Sequence, residues 1–476
     1  MMDAPLNWHT RFGPIREYIE QQLVEQVFPS LAVAVAWQGE IVWEEGFGWA
    51  DRERRIPATS HTPYSLASIS KPITATSLMI LRERGLLDLD RPIDDYLGAA
   101  KLTARVGAAQ DATVRRVANH TAGLPLHYHF FPVDEPIRPP PRDETIRRYA
   151  NLVTAPGERF QYSNLGYGIL DHVISRLSGK TYADFLRDEV FRPLGMNRST
   201  VGIGADLDPY AAARYRGGTE RLPFYDFDHP GGSAVFCSAH DLIRFGLFHL
   251  KAPLPDQKAI LSDASLDEQH RATASSAPNV GYGVGWRSHL TESGFQTFGH
   301  TGGMDGVSTA LEIVPAEEVA IVVLGNAAGP LPHGVLEEIK AVMLPGYQKT
   351  SPGHSTAEGA SFTPPTELLG TWTGEVHRLE GNLPFRLTFQ TDGDVHARLG
   401  DQLTTLLNDV RWQDRWLTGR LSGDIGTADA SRRPYYLHAD LRQRENRLEG
   451  ALIASSLPGT RFGNALSHWV SLTKSD

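Results

Sequence analysis

The sequence predicts an α+β region over residues 1–348, a linker over 349–364 and a small all-β barrel over 365–476. Three observations predict this division. Helix and strand signals are interleaved through the first part, the composition changes near Tyr347, and beyond Pro364-Pro365 apolar residues alternate with polar ones at period two.

Taken in order, Pro63 to Ala67 reads as an extended approach. Pro72, Ile73, Ala75, Leu78, Met79 and Leu81 then read as a largely apolar helix ending at Gly85, with proline in the first turn and glycine past the last. Another helix begins near Glu144 and ends at Tyr149-Ala150-Asn151. Pro156-Gly157 is a turn, and a further helix runs through Ile169, Leu170, Val173, Ile174 and Leu177 to Gly179. Phe295 to Thr297 is extended, and Val307 to Val314 and Val319 to Leu324 read as a pair of strands. Lys349 to Ser361 lacks apolar periodicity, as an exposed linker does. After it, Phe385, Leu387 and Phe389, then Val395, Ala397 and Leu399, then Leu437, Ala439 and Leu441 alternate with polar residues. Leu448 to Ala454 and Trp469 to Leu472 are further strands. Short strands joined by Asp-Gly and Gly-Asn turns suit an antiparallel barrel, with Trp412 and Trp416 expected in its core.

The composition is that of an ordinary soluble protein, with 41% hydrophobic and 21% charged residues. A net charge of -10 argues against nucleic acid or an anionic membrane surface as a partner. No apolar run is long enough to span a bilayer, and Met1 to Phe28 carries charges throughout, without a signal-type apolar core. The expectation is a cytoplasmic protein acting on a small molecule or short peptide, with homo-oligomerisation left open. Cys237 is the single cysteine, lies in an apolar run and reads as a buried, inert thiol. His127-Tyr128-His129 has metal-ligand spacing but no accompanying cluster, so no metal or cofactor is expected.

Chemistry concentrates in three segments. In Ser68-Ile69-Ser70-Lys71 a serine stands where a helix begins, among unpaired backbone N–H groups, and Lys71 falls one turn later on the same face. An alkoxide needs a base to take its proton and positive potential to stabilise it, and Ser-x-x-Lys supplies both. The second segment is Tyr162-Ser163-Asn164, on a loop leading into a helix. The third is His300-Thr301-Gly302-Gly303, where glycines at a strand allow a ligand backbone to come close. Three sequences mimic these patterns. Ser471 to Lys474 reads as a polar tail, Tyr149-Ala150-Asn151 as a helix end and His229-Pro230-Gly231 as a turn.

In this order the segments resemble the serine hydrolases that include class C β-lactamases, low-molecular-weight penicillin-binding proteins, D-aminopeptidases and related esterases. Leu31 to Val35 with Glu40 to Trp43 looks like that family's opening hairpin. Asn119-His120-Thr121-Ala122-Gly123-Leu124 is similar to its His-Thr-Ser-Gly-Leu loop, and Gly231-Gly232 and Gly281 to Trp286 also fit. The resemblance implies an antiparallel sheet flanked by helices, plus a helical subdomain. It implies Ser68 as nucleophile, Lys71 as its proton partner and Tyr162 as general base and acid. Asn164 would hold the substrate amide and orient Lys71. The N–H groups of Ser68 and Gly303 would form the oxyanion hole, and His120, His300, Thr301 and Gly302 would line the substrate site. Histidine at position 300 departs from the Lys-Thr-Gly of β-lactamases and resembles the D-aminopeptidase-like branch, so an amidase or peptidase of that type is expected. The alternatives are a carboxylesterase with weak β-lactamase activity, or a catalytically silent ligand-binding protein. Leu369-Gly370-Thr371-Trp372 is similar to the first strand of lipocalin-like barrels appended to some of these hydrolases.

Overall fold

A computed structural model describes residues 7–203, 207–349 and 362–475, so most of the expected linker, 350–361, lies outside the described residues. The chain divides into two compact units. One comprises Met1–Asp90, Pro132–Pro136 and Tyr167–Ser351; the other comprises Arg91–Phe131, Ile137–Gly166 and Pro352–Asp476.

The first unit is built on a nine-stranded antiparallel sheet. Its strands are β1 (Ser30–Trp37), β2 (Glu40–Asp51), β3 (Ile56–Pro57), β4 (Ala274–Ala277), β5 (Val280–Tyr282), β6 (Arg287–Leu290), β7 (Gln296–Met304), β8 (Val307–Val314) and β9 (Val319–Gly325). Their order is β4-β5-β6-β7-β8-β9-β1-β2-β3. The central β1 and β9 are apolar almost throughout because both of their faces are covered. Leu31, Val33 and Val35 point to one face, where helices α1 (Gly13–Glu25) and α5 (Leu331–Met343) complete an apolar core. The alternate alanines, Ala32, Ala34 and Ala36, face the other side, and small side chains there let α4 (Ala239–His249) pack closely. Helix α2 (Ser70–Glu83) is buried from Ser70 to Leu81. It begins two residues before the expected Pro72, after a 3₁₀ turn at Ala67–Ile69 that carries Ser68. Cys237 is fully buried, and burial raises its thiol pKa far above the usual range.

The second unit contains a nearly closed nine-stranded antiparallel barrel. Its strands are β10 (Gly370–His377), β11 (Leu383–Phe389), β12 (Val395–Leu399), β13 (Thr405–Leu406), β14 (Asn408–Gln413), β15 (Trp416–Leu421), β16 (Tyr435–Arg444), β17 (Arg447–Ser456) and β18 (Ala465–Lys474). Inward positions such as Trp372, Leu387, Ala397, Leu437, Ala439, Leu441 and Leu452 are sealed from solvent, as the period-two pattern requires. Trp412 and Trp416 are not among them. Both are only half-buried; Trp416 faces outward because β15 places Leu417 and Leu421 inward, and Trp412 lies on β14, opposite Leu417. Ser471 lies inside β18 rather than in a tail, and its hydroxyl donates to Glu449.

The barrel also uses its outer face. Ala451 and Ile453 of β17 and Ala465 and Trp469 of β18 form an apolar cluster with Val153, against which Val106, Leu126 and Tyr128 pack. Tyr128 and Ala465 exchange two backbone hydrogen bonds, at 3.0 and 2.9 Å. Residues 91–131 and 137–166 thus share a core with the barrel. A chain ending at Leu344 would expose Val106, Leu126 and Val153. The expected outcome is a protein that binds a hydrophobic dye and is cleaved by protease within 91–166, whereas the full chain resists both.

Candidate active site

Ser68 sits in a 3₁₀ turn forced by Ala67, whose φ of +49° is left-handed. The turn is pinned from the sheet side. Thr309 on β8 donates its hydroxyl to the Leu66 carbonyl at 3.0 Å. Strand β7 approaches so closely that a Cβ on Gly302 would lie 2.1 Å from the Leu66 oxygen and 2.2 Å from Thr309 Oγ1. Only glycine fits there. Gly303 differs: a Cβ there would meet nothing within 4 Å, and the residue is exposed. Its strand edge is therefore open beside the serine turn.

Lys71 is completely buried. Its Nζ lies 3.1 Å from Ser68 Oγ and donates to the Gly232 carbonyl at 3.0 Å. The Tyr167 ring of α3 (Asn164–Ser178) lies 5.4 Å from the same atom. Burial alone pushes the ammonium pKa well below its ordinary value, which favours the neutral amine. The Gly231-Gly232 loop is held in turn by Asp171, which accepts the Gly231 N–H at 2.7 Å, and by Thr74, which donates to the Gly231 carbonyl at 2.6 Å.

His300, on β7, is buried. Its Nδ1 lies 2.7 Å from the Thr301 carbonyl and its Nε2 2.9 Å from the Tyr282 hydroxyl. A carbonyl can only accept, so Nδ1 carries the hydrogen and Nε2 accepts from tyrosine. Burial, then the nearby Lys71, hold the imidazole neutral. Both ring nitrogens are therefore engaged within the protein.

Tyr162, Asn164 and His120 belong to the second unit. Tyr162 is half-buried in the loop before α3, and Asn164 is the buried first residue of that helix. His120 adopts a left-handed backbone, φ +63°. Its Nδ1 accepts the Ser163 N–H at 3.2 Å, its carbonyl accepts the Gln161 N–H at 2.7 Å, and its ring lies 4.4 Å from that of Tyr162.

The sequence reading passed over Arg287. It lies on β6 opposite Gly299 of β7 and lines a cavity of about 260 Å³ together with His300, Thr301, His289 and Glu312. Its guanidinium is exposed and has no ion-pair partner among the described residues. The signal that could have found it is a cation on the strand beside His300-Thr301-Gly302, visible only once the register is known. Among the described residues one group has metal-ligand geometry: Glu44, His61 and His240, with ligand atoms within 4.8 Å of one another. A hydrogen bond from His240 Nδ1 to Glu44 at 2.8 Å accounts for the pair, raising the histidine pKa and lowering the carboxyl's.

With that geometry in place, the family follows from comparison. A beta-lactamase family model matches residues 15–341. The chain belongs to the beta-lactamase family. Members of this family are serine hydrolases. Over 311 residues it is 27% identical to penicillin-binding protein 4* of Bacillus subtilis, which covers 59% of this chain and 64% of that protein. Over 340 residues it is 28% identical to penicillin-binding protein 4 of Amycolatopsis lactamdurans, covering 67% of this chain and 84% of that protein. Two solved structures superpose on nearly the whole chain. SurE does so with a TM-score of 0.63 at 21% identity, covering 98% of this chain and 99% of its own. An octameric penicillin-binding protein homologue from Pyrococcus abyssi does so with a TM-score of 0.61 at 21% identity, covering 96% and 99%. No helix among the described residues is long and apolar enough to cross a membrane.

The Gly302 contact makes a sharp test. Gly302→Ala should force β7 away from the Ser68 turn. The expected result is destabilisation by about 1–3 kcal/mol in denaturant titration and at least tenfold slower reaction of Ser68 with a phosphonate, whereas Gly303→Ala should leave stability unchanged.

Proposed function

We propose that this beta-lactamase family member is a peptidase or amidase that forms an acyl-enzyme on Ser68 and recognises a substrate carboxylate through Arg287. The observation that carries the first half is the buried Lys71 amine beside Ser68 Oγ. A neutral amine that donates one N–H to Gly232 can turn its lone pair to the serine hydroxyl and take its proton as the alkoxide attacks the carbonyl. The backbone N–H groups of Ser68 and Gly303 are assigned to the developing oxyanion. The family resemblance assigns Tyr162 to proton transfer to the leaving group and Asn164 to the substrate amide. With Lys71 neutral, the base that activates Ser68 is assigned to the lysine, and Tyr162 takes the acid role.

The test is the rate at which a phosphonate modifies Ser68, followed by intact mass across pH. Lys71 is lowered from its ordinary value, so the fraction of neutral amine, and the rate, should rise as pH increases through that lowered value and level off above it. Lys71→Met should slow modification by several orders of magnitude and remove the pH dependence. An adduct mapped to any other serine would overturn the assignment.

Substrate polarity rests on Arg287. An aminopeptidase would need a group that attracts a free amine, and the D-aminopeptidase expectation leans on His300, whose nitrogens are engaged with Thr301 and Tyr282. The exposed guanidinium beside Thr301 instead suits the carboxylate of a peptide C-terminus. A D-residue beside the scissile bond is supported by the solved complex of SurE with D-Leu, and homo-oligomerisation by the octameric Pyrococcus homologue. A panel of L- and D-peptides, amino-acid amides, short acyl esters and a cephalosporin would separate the peptidase from the esterase. Arg287→Gln should raise KM at least tenfold for peptides with a free carboxylate and leave neutral esters unchanged. Equal effects on both would remove Arg287 from recognition.

A further inference from the structure

We propose that the C-terminal barrel sets the position of Tyr162, by clamping the loop immediately before it with outward side chains of one barrel strand. The inference rests on the reading of Tyr162 as a proton-transfer residue.

Residues 155–163 contain no helix or strand, so nothing in their own backbone pattern fixes where Tyr162 points. The fixing comes from two sides. On one, His120 takes the Gln161 and Ser163 N–H groups and lies against the tyrosine ring. On the other stands β16. Its Leu437, Ala439 and Leu441 face the barrel interior, so the alternate residues Asp440, Arg442 and Arg444 face outward in a row. Each meets the loop. Asp440 pairs with Arg159 and accepts from Gln161 Nε2 at 3.1 Å. Arg444 donates to both Glu158 oxygens, at 2.9 and 2.6 Å, and Arg442 pairs with the same carboxylate. Trp416, on neighbouring β15, stacks under the Arg159 guanidinium at 3.5 Å. Glu158 also accepts the Ala155 N–H at 2.9 Å, closing the Pro156-Gly157 turn.

The charge order makes this a register lock. Glu158 and Arg159 are adjacent and opposite in sign, and they meet Arg442 and Arg444 on one hand and Asp440 on the other. A slip one way along the strand would bring Glu158 to Asp440, and a slip the other way would bring Arg159 to Arg442, so displaced registers are repelled. The Glu158 and Asp440 side chains are only 16% and 13% exposed, so water screens these pairs weakly. If the barrel were only a stabilising attachment, the apolar cluster around Trp469 would suffice, and charge pairs would not gather at residues 158 and 159. Asp440, Arg442 and Arg444 are thus positioning residues acting through the loop.

The test uses the full chain. Asp440→Asn and Glu158→Gln keep size and polarity while removing charge, and Arg159→Asp with Asp440→Arg restores the pair in reverse. Turnover of a peptide or amide substrate, melting temperature and hydrogen exchange of the peptide spanning 155–165 are measured alongside Tyr162→Phe. For Asp440→Asn we expect kcat to fall about tenfold or more, since small misplacements of a reacting group are costly, with KM changed less than about threefold. Exchange at 155–165 should accelerate while the melting temperature stays close to that of the parent chain. The reversed pair should regain part of the kcat. Unchanged kcat and unchanged exchange in both single variants would overturn the proposal. Full turnover by Tyr162→Phe would sink the reading of Tyr162 and the catalytic consequence with it, and exchange at 155–165 would then decide whether the barrel holds the loop.

Discussion

The removal of the Lys71 amine from water governs the first unit's site. Burial penalises an ammonium and lowers the Lys71 pKa well below its ordinary value, which favours an amine that could serve a neighbouring serine as a base. Much of the surrounding architecture serves that burial. Gly302 and Gly285 have no Cβ where one would strike the Ser68 turn or the start of α2; at Gly285 it would lie 2.9 Å from the Lys71 carbonyl. Gly232 offers the amine a backbone carbonyl as acceptor. His300, close enough to feel Lys71, is held neutral by the same desolvation. The exposed Arg287 lies outside this pair, on β6 opposite Gly299.

Legibility in the sequence followed the range of the interaction. Ser68 and Lys71 were readable because one helical turn brings them together, and their neighbours in sequence supply the proline and the apolar run that signal the helix. The barrel was readable because alternation at Leu437, Ala439 and Leu441 is a local pattern with one physical cause, a strand with one wet face. The family resemblance came from the order of short segments and is supported by the match over residues 15–341. What escaped depends on register. Arg287 gains meaning from lying opposite Gly299, a partner twelve residues away whose pairing no local pattern fixes. His300 looked available until Tyr282, from a strand two places along the sheet, took its second nitrogen. Trp416 looked like core because aromatic residues in strands usually are, but Arg159, far away in sequence, offered a cationic face that holds it at the surface.

The second unit shows how apolar and charged contacts divide the work of holding one segment. Trp469, Ile453, Ala451 and Ala465 present a contiguous apolar surface to Val153 and its neighbours, and each fully buried large side chain there is worth roughly 1.5–3 kcal/mol. That attaches residues 91–131 and 137–166 to the barrel, but the hydrophobic effect itself is non-directional. The ion pairs around Glu158, Arg159 and Asp440 have the opposite character. Largely buried pairs add little net stability, because desolvation offsets most of the attraction. Their geometry, however, is directional, and their signs distinguish one register from the next. A loop needing only attachment would gain more from another leucine. The polar contacts end at Gln161, directly before Tyr162, so the constraint they imply is on where that residue stands rather than on how strongly the segment is held.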